Sequence, residues 1–248
     1  MHFDHLIVTP KEGYTLVKLN RPHEMNAISR HTMDELKLAF ASLEDSPQVH
    51  VVILTGGDMV FCAGHDIKEM AALSDTEVEP YFKKMTDYMQ LIYSYSKPVI
   101  AAVGGIALGG GFNLAVICDL IIASESAIFG HPELRFGINP LLDPLRRVVG
   151  LARAKEIAMM GEPIGAKEAF KLGFVNKVAP PERFMEVAES YATELTQRSP
   201  LVLQAIKRAS DVVPRLDKRT ALAYELEITT LLFSRSETRE IIGKTLKK

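Results

Sequence analysis

The longest apolar stretch of the chain runs from Pro98 to Leu120, and glycines interrupt it. Its first part, Val99 to Val103, is uncharged and predicts a buried strand. The glycine-rich residues Gly104 to Gly111 predict a close turn rather than a membrane-spanning helix. Phe112 to Ile117 then has helical character. The stretch therefore predicts a buried strand, a loop and a helix.

Strands and helices alternate along most of the remaining sequence. β-branched runs predict strands, and apolar residues spaced by three and four predict helices. The predicted strands are 6–8, 14–19, 49–55, 99–103, 120–123, 127–129 and 175–178, and residues 61–70 predict a further strand followed by a glycine turn and a helix. The predicted helices are 29–43, 74–92, 112–117, 147–161, 166–172, 182–197, 201–213, 216–233 and 237–246. Ser74 to Glu77 predict a capping box at the start of helix 74–92, and Gly173 closes helix 166–172. This order favours an α/β or α+β fold of stacked ββα or βαβ units with a helical C-terminal part.

The composition is that of a folded globular protein. The 248 residues are 47% hydrophobic and 24% charged, and the net charge of -2 argues against a nucleic-acid partner. Cys62 and Cys118 lack the C-x-x-C spacing of a zinc or redox site, and we expect no metal. The N-terminus has no signal-peptide pattern and no membrane span is predicted, so the expected location is the cytoplasm.

Three segments are candidates for chemistry. The glycine-rich segment 104–111 could offer backbone N–H groups to an anion or oxyanion, or its glycines could only allow a helix to pack closely on a strand. They lack the Gly-Lys-Ser/Thr of a phosphate loop. His65 precedes Asp66, yet no partner motif completes a triad or metal site, so we expect its side chain to do no chemistry. Glu133 follows a proline among apolar residues and is either a desolvated general base or an ordinary helix N-terminal acid.

Further short motifs follow one another along the chain from about residue 14 to 210. They are Leu19-Asn20-Arg21-Pro22, Met25-Asn26-Ala27, Val51 to Gly56, Phe61 to Asp66, Lys97 to Val103, Ala107 to Gly111, Cys118-Asp119, Phe129 to Glu133, Gly150, Ala166 to Ala169 and Leu172 to Val175. Each motif is weak alone, but their order and spacing are specific. Taken together, these segments resemble the enoyl-CoA hydratase/isomerase (crotonase) superfamily.

The resemblance implies a crotonase-like spiral of repeated ββα units that acts on an acyl-CoA substrate of fatty acid metabolism. Coenzyme A is then part of the substrate, and no separate cofactor is expected. We expect a core of residues 1–199 and a helical region 200–248 that forms a homotrimer or a hexamer. The apolar residues suited to that contact are Leu222, Leu226, Ile228, Leu231, Leu232 and Phe233.

The resemblance also assigns site residues. The backbone N–H groups of His65 and Gly110 are expected to hold the thioester oxygen. Lys68 is expected to contact the CoA phosphates. For the C-terminal lysines only charge and position suggest such a contact, and a solvated chain end is the favoured alternative. Acyl-CoA binding is expected at Met25, Ala27, Ala63, His65, Asp66, Ile67, Lys68 and Gly110, and the C-terminal lysines are Lys244, Lys247 and Lys248.

The catalytic group implied by the resemblance is Glu133, but a second glutamate of the family's hydratases is replaced by Asn113. An amide cannot take a proton from water, so the sequence favours a Δ3-Δ2 isomerase with Glu133 as its acid and base. A hydratase with a single glutamate is the alternative. Leu141 stands at the family's other acidic position, and whether Asp143 enters the pocket is left open.

Two other classes of protein fit less well. A serine peptidase of the related spiral fold would need a serine near the glycine-rich helix start, where the chain has Phe112 and Asn113. A non-catalytic or RNA-binding member would be expected to lose Glu133 or gain a basic stripe, and neither is clear in the sequence. We therefore predict an enzyme of the isomerase or lyase type.

Overall fold

The computed structural model describes residues 2–236, 238, 239 and 243, which form two sheets surrounded by helices. The strands are β1 (Leu6–Pro10), β2 (Tyr14–Leu19), β3 (Val51–Thr55), β4 (Val60–Cys62), β5 (Val99–Val103), β6 (Ile106–Leu108), β7 (Leu120–Ser124), β8 (Ile128–Gly130), β9 (Ile164–Gly165) and β10 (Lys177–Ala179). The helices are α1 (Arg30–Glu44), α2 (Ile67–Ala71), α3 (Asp75–Tyr93), α4 (Gly110–Val116), α5 (Asp143–Val149), α6 (Leu151–Met160), α7 (Ala166–Leu172), α8 (Phe184–Thr196), α9 (Pro200–Val212) and α10 (Lys218–Phe233).

The strands are shared between the sheets in a regular way. The larger sheet has the order β1-β2-β3-β5-β7-β10 and the smaller sheet has the order β4-β6-β8-β9. In three successive repeats, β3-β4, β5-β6 and β7-β8, the first strand joins the larger sheet and the second joins the smaller one. Within each sheet the strands of successive repeats pair in parallel. The chain thus advances as a spiral of ββα units, as the resemblance implied.

The larger sheet is buried on both faces, which explains its continuous apolar strands. All five residues of β3 and all five of β5 are buried. On one face, Ile53, Ile100 and Ile122 pack against α8 through Phe184 and Ala188. The opposite face forms the main core with the smaller sheet, α1 and α4. Alternate residues of β2, β3, β5 and β7 therefore serve two separate apolar layers.

Local signals set the boundaries of several helices. Ser29 caps α1 by accepting a hydrogen bond from the N–H of Thr32, and Ser74 with Glu77 forms the predicted capping box of α3. The predicted helix 147–161 is wrong in one respect, because Gly150 adopts a φ of 78° and separates α5 from α6. Strands β6 and β9 were not predicted. Most of the predicted helix 237–246 lies outside the described residues.

The last two described helices differ from the rest in their burial. Neither α9 nor α10 contains a buried residue, and Leu222, Leu226 and Phe233 are exposed. Helix α9 is tied to the core by Lys207, whose ammonium lies 2.6 Å from a carboxylate oxygen of Asp119. Among the described residues, no helix combines the length and the hydrophobicity that crossing a membrane requires.

Candidate active site

A cavity of about 190 Å³ lies where the turn after β4, the start of α4 and one face of α3 meet. Six of the predicted site residues line it, and most of its other walls are apolar. The predicted residues are Ala63, His65, Ile67, Gly110, Asn113 and Glu133, and the other lining residues are Gly64, Met70, Phe82, Met85, Met89, Gly109, Pro132, Phe136, Ile138, Asn139 and Leu141. The fold therefore brings a carboxylate and an amide together inside an apolar pocket.

Pairing between β6 and β8 positions the two sides of the cavity. Leu108 lies opposite Gly130, and the N–H of Gly109 donates to the Gly130 carbonyl at 2.9 Å. Gly109 has a φ of 52°, and a Cβ there would lie 3.1 Å from Oε2 of Glu133. Glycine is required because the backbone is left-handed and the carboxylate occupies the space of a side chain. The start of α4 thus lies directly against Glu133.

The backbone amide and the imidazole of His65 make different contributions to the site. Its neighbours are fixed by Ile28, whose N–H donates to Gly64 and whose carbonyl accepts from Asp66. In the backbone hydrogen-bond network of the described residues, the amides of His65 and Gly110 donate to no acceptor. Both residues border the cavity, so two N–H groups without a backbone acceptor belong to residues of its wall.

The imidazole of His65 packs over Gly110, where any Cβ would overlap the ring. Its Nε2 lies 2.9 Å from the hydroxyl of Tyr88, which is fully buried on α3. Burial lowers the pKa of His65 to about 4, against a smaller opposing effect of the Glu133 charge. The ring is therefore an uncharged packing group near neutral pH, and that its side chain does no chemistry stays a prediction.

The two polar groups inside the cavity are Asn113 and Glu133. Asn113 is mostly buried in the first turn of α4, and Glu133 lies in the 3-10 turn Pro132–Phe136. One oxygen of Glu133, Oε1, accepts a hydrogen bond at 3.0 Å from Nδ1 of His131. The other, Oε2, has no hydrogen-bond partner among the described residues. The arrangement can accept and return a proton next to an amide that orients a polar ligand.

Asp143, whose place inside or outside the pocket the sequence did not decide, lies outside the cavity. Asp143 begins α5, where its carboxylate accepts hydrogen bonds at 2.8 Å from Arg146 and Arg147. These arginines hold the pKa of Asp143 below its usual range. Leu141 lines the cavity instead. Among the described residues, Glu133 is therefore the only carboxylate in its wall.

Four predicted binding residues do not line the cavity. Met25 and Ala27 lie in the loop before α1, and their carbonyls accept from Ala63 and Arg21. Asp66 caps α2 and forms an ion pair with Arg21 at 3.3 Å, which gives it a structural role. Lys68 is exposed, and its ammonium lies 3.2 Å from Glu24. The lysines of the C-terminus lie outside the described residues.

The residue that sequence analysis missed in this loop is Asn26. It is buried with a φ of 53°, its Oδ1 accepts from Arg21 N–H at 2.9 Å, and its Nδ2 donates to Gly56 and Val60 at 3.0 and 2.8 Å. These bonds attach the loop to the ends of β3 and β4. A single asparagine between apolar residues was the available signal, because asparagine tolerates left-handed backbone.

Comparison with known proteins identifies relatives of the chain and its fold. The sequence profile described as Enoyl-CoA hydratase/isomerase matches residues 9–246. A crotonyl-CoA hydratase of Syntrophomonas wolfei is 35% identical, with 100% of this chain and 97% of that protein covered. A short-chain-enoyl-CoA hydratase of Clostridium acetobutylicum is also 35% identical, with coverages of 98% and 95%. The crystal structure of an enoyl-CoA hydratase from Bacillus anthracis superimposes with a TM-score of 0.92 at 30% identity, covering 99% and 97% of the chains. The predicted fold is confirmed.

The loop anchor gives a prediction for stability. Replacing Asn26 with alanine removes three hydrogen bonds, one from the Arg21 N–H and two to the carbonyls of Gly56 and Val60, at a buried position with left-handed backbone. We expect the free energy of unfolding to fall by about 3–4 kcal/mol, measured by denaturant titration. The control is Asn20→Ala, since the Asn20 side chain is exposed. Equal stability of the two variants would contradict the anchoring role.

The burial of His65 gives a prediction for pH. Its pKa is about 4 in the folded protein and 6.5 as the ordinary value, so between these values the unfolded chain binds a proton that the folded chain does not. Stability should therefore fall as the pH falls, by roughly 2–3 kcal/mol between pH 7 and 4.5. Denaturant titrations should show a smaller fall in His65→Gln. The same fall in wild type and this variant would assign the acid sensitivity elsewhere.

Proposed function

Because the chain belongs to the enoyl-CoA hydratase/isomerase family, we propose that it is a hydratase that adds water to a short 2-enoyl-CoA thioester. The observation that carries the proposal is the free Oε2 of Glu133 in an apolar cavity bordered by two unpaired amides. The relatives named crotonyl-CoA hydratase and short-chain-enoyl-CoA hydratase support hydration over isomerisation. The proposed chemistry needs no metal or redox cofactor, because proton transfers and hydrogen bonds complete it.

The proposed oxyanion site is formed by the N–H groups of His65 and Gly110. Addition of water to C3 of the thioester places negative charge on the thioester oxygen as an enolate. Preorganised donors in a water-poor cavity stabilise such charge by about 3 kcal/mol each. Because these donors belong to the backbone, the identity of the His65 side chain matters only through its packing on Gly110.

A single carboxylate carries both proton transfers in this proposal. A water molecule is held between the amide of Asn113 and Oε2 of Glu133. Glu133 accepts the water proton while the oxygen bonds to C3, and the electrons of the double bond move to the thioester oxygen. The protonated carboxyl then donates this proton to C2, which regenerates the thioester carbonyl and the carboxylate. Asn113 orients the water and takes no proton.

The size of the cavity supports a short acyl group. Its volume of about 190 Å³ is below the range of about 300–1,000 Å³ that is typical of sites for drug-sized ligands. The far walls are apolar and include Met70, Phe82, Met85 and Leu141. Apolar walls favour a hydrocarbon chain, and the small volume limits the length of that chain. We therefore propose a substrate whose acyl group has few carbons.

A second candidate reaction is the Δ3-Δ2 isomerisation that the sequence favoured. Asn113 supports it, because migration of a double bond needs only one group that removes a proton from C2 and returns it to C4. The same Glu133 and the same backbone amides would serve. The two reactions differ in whether water occupies the space beside Asn113.

The C-terminal helices are the proposed assembly surface. Helix α10 exposes Leu222, Leu226, Leu231 and Phe233 and contains no buried residue. Exposed apolar side chains of this extent suit contact with other copies of the chain. We propose a homotrimer or hexamer formed through residues 200–248, and Lys68 as a contact of the CoA phosphates. The cytoplasmic location expected from the sequence stays a prediction.

The first test concerns Glu133. Glu133→Gln keeps the shape of the side chain but removes its ability to accept a proton. We expect turnover to fall by at least about 100-fold, while binding of a saturated acyl-CoA and the thermal midpoint stay within error. A variant that retains more than about a tenth of wild-type turnover would remove Glu133 from its role.

The second test separates the two reactions. Wild type should hydrate crotonyl-CoA faster than it moves the double bond of a 3-enoyl-CoA, with both products followed by chromatography. Asn113→Glu should increase hydration relative to migration, because a second carboxylate can deprotonate water. Asn113→Asp is the matched control for charge with a shorter reach. Rapid migration without hydration would favour the isomerase.

A further inference from the structure

His131 is a buried histidine that the proposed mechanism does not use. Its side chain is 1% exposed, and its Nδ1 lies 3.0 Å from Oε1 of Glu133. An ionised carboxylate only accepts hydrogen bonds, so Nδ1 must carry the proton of this bond whatever the charge of the ring. The donor is therefore fixed by the chemistry of its partner.

The other edge of the same ring has no polar contact. Nε2 of His131 is buried without a hydrogen-bond partner among the described residues. The ring lies 4.8 Å from the ring of Phe112, which also packs against Phe129 and Phe174. An unpaired nitrogen in such a cluster is unfavourable, and an apolar side chain would fill the same space without this penalty. Packing alone does not account for a histidine here.

We propose that His131 is a positioning residue for Glu133: its Nδ1–H holds Oε1, so that Oε2 is the oxygen that transfers the proton. This inference rests on the proposed function of Glu133 but not on the choice between hydration and isomerisation. The bond restricts the carboxylate to one orientation. A site with a single carboxylate depends on this, because both proton transfers pass through the same oxygen.

The surroundings of Glu133 contain few other groups that titrate. Among the described residues lining the cavity, His65 is the only other titratable side chain, and it faces Glu133 from the turn before α2. The described walls from α3 and α4 supply no charged side chain to the cavity. Asp143 with Arg146 and Arg147 lies outside it. Substitutions at His131 therefore change the nearest polar partner of Glu133 and leave His65 in place.

The test uses three variants of the full chain. His131→Leu removes the donor and keeps an apolar side chain, whereas His131→Asn restores an N–H near the position of Nδ1. Phe174→Leu loosens the same aromatic cluster without touching Glu133 and is the control for packing. For each variant kcat, KM, the pH profile of kcat/KM and the thermal midpoint are measured with crotonyl-CoA and a 3-enoyl-CoA.

We expect His131→Leu to lower kcat by about 10- to 100-fold and to change KM by less than about threefold. Losses of this size are typical when a residue that orients an active-site group is removed. The acidic limb of its pH profile should move to higher pH, because the ionised carboxylate loses a donor. His131→Asn should recover most of kcat. Phe174→Leu should lower the thermal midpoint and keep the wild-type pH profile.

The inference would be overturned if His131→Leu kept more than half of kcat. It would also be overturned if all three variants lost activity in proportion to their loss of stability and all kept the wild-type pH profile. The carbon-13 chemical shift of the Glu133 carboxyl, assigned with Glu133→Gln, gives a readout independent of turnover. It should differ from wild type in His131→Leu and return toward wild type in His131→Asn, because the carboxylate loses and regains its donor. An unchanged chemical shift in His131→Leu contradicts the inference, whereas a changed one in an enzyme inactive on both thioesters contradicts only the proposed function.

Discussion

The close approach of the α4 start to the turn that carries Glu133 is the constraint on which the site depends. Parallel pairing of β6 with β8 brings these segments together, and the absence of a side chain at Gly109 lets the carboxylate lie against the backbone. Any Cβ at Gly110 would in turn overlap the ring of His65. The glycines therefore set the distance between the carboxylate, the amide of Asn113 and the two free N–H groups.

Buried polar contacts at the edges keep this arrangement in register. Asn26 joins the loop before α1 to the ends of β3 and β4, and Asp66 with Arg21 joins α2 to the same loop. At the start of β7, Lys207 connects α9 to Asp119. Each contact satisfies backbone or charged groups that burial would otherwise leave unpaired, so removing one partner affects more than one element.

A single carboxylate in an apolar pocket places strict demands on its orientation. In both proposed reactions one carboxylate oxygen takes up a proton and gives it back at another atom, and free rotation of the carboxyl would reduce the fraction of productive geometries. The hydrogen bond from His131 and the contact with Gly109 limit this rotation from two sides. The apolar walls around them exclude water, which strengthens the remaining electrostatic interactions.

The sequence alone determined the elements whose signals are local. The capping box at Ser74, the uncharged run of β5 and the closing Gly173 of α7 each predicted a boundary that the structure has, because hydrogen bonds and backbone preferences act within a few residues. The family motifs also indicated the spiral and named Glu133 and Asn113 as neighbours. These inferences required no knowledge of distant contacts.

Only the tertiary structure decided the features that depend on pairing between distant segments. Strand β6 has only three residues and forms because it pairs with β4 and β8. The glycines on both sides of it predict a turn, so the sequence pattern did not indicate a strand there. The break at Gly150 and the outward position of Asp143 follow from how α5 packs. The orientation of Glu133 is set by His131, two residues away in a turn whose geometry no periodicity encodes. Sequence patterns report which residues are buried, whereas the direction of a buried side chain depends on the partners that the whole fold supplies.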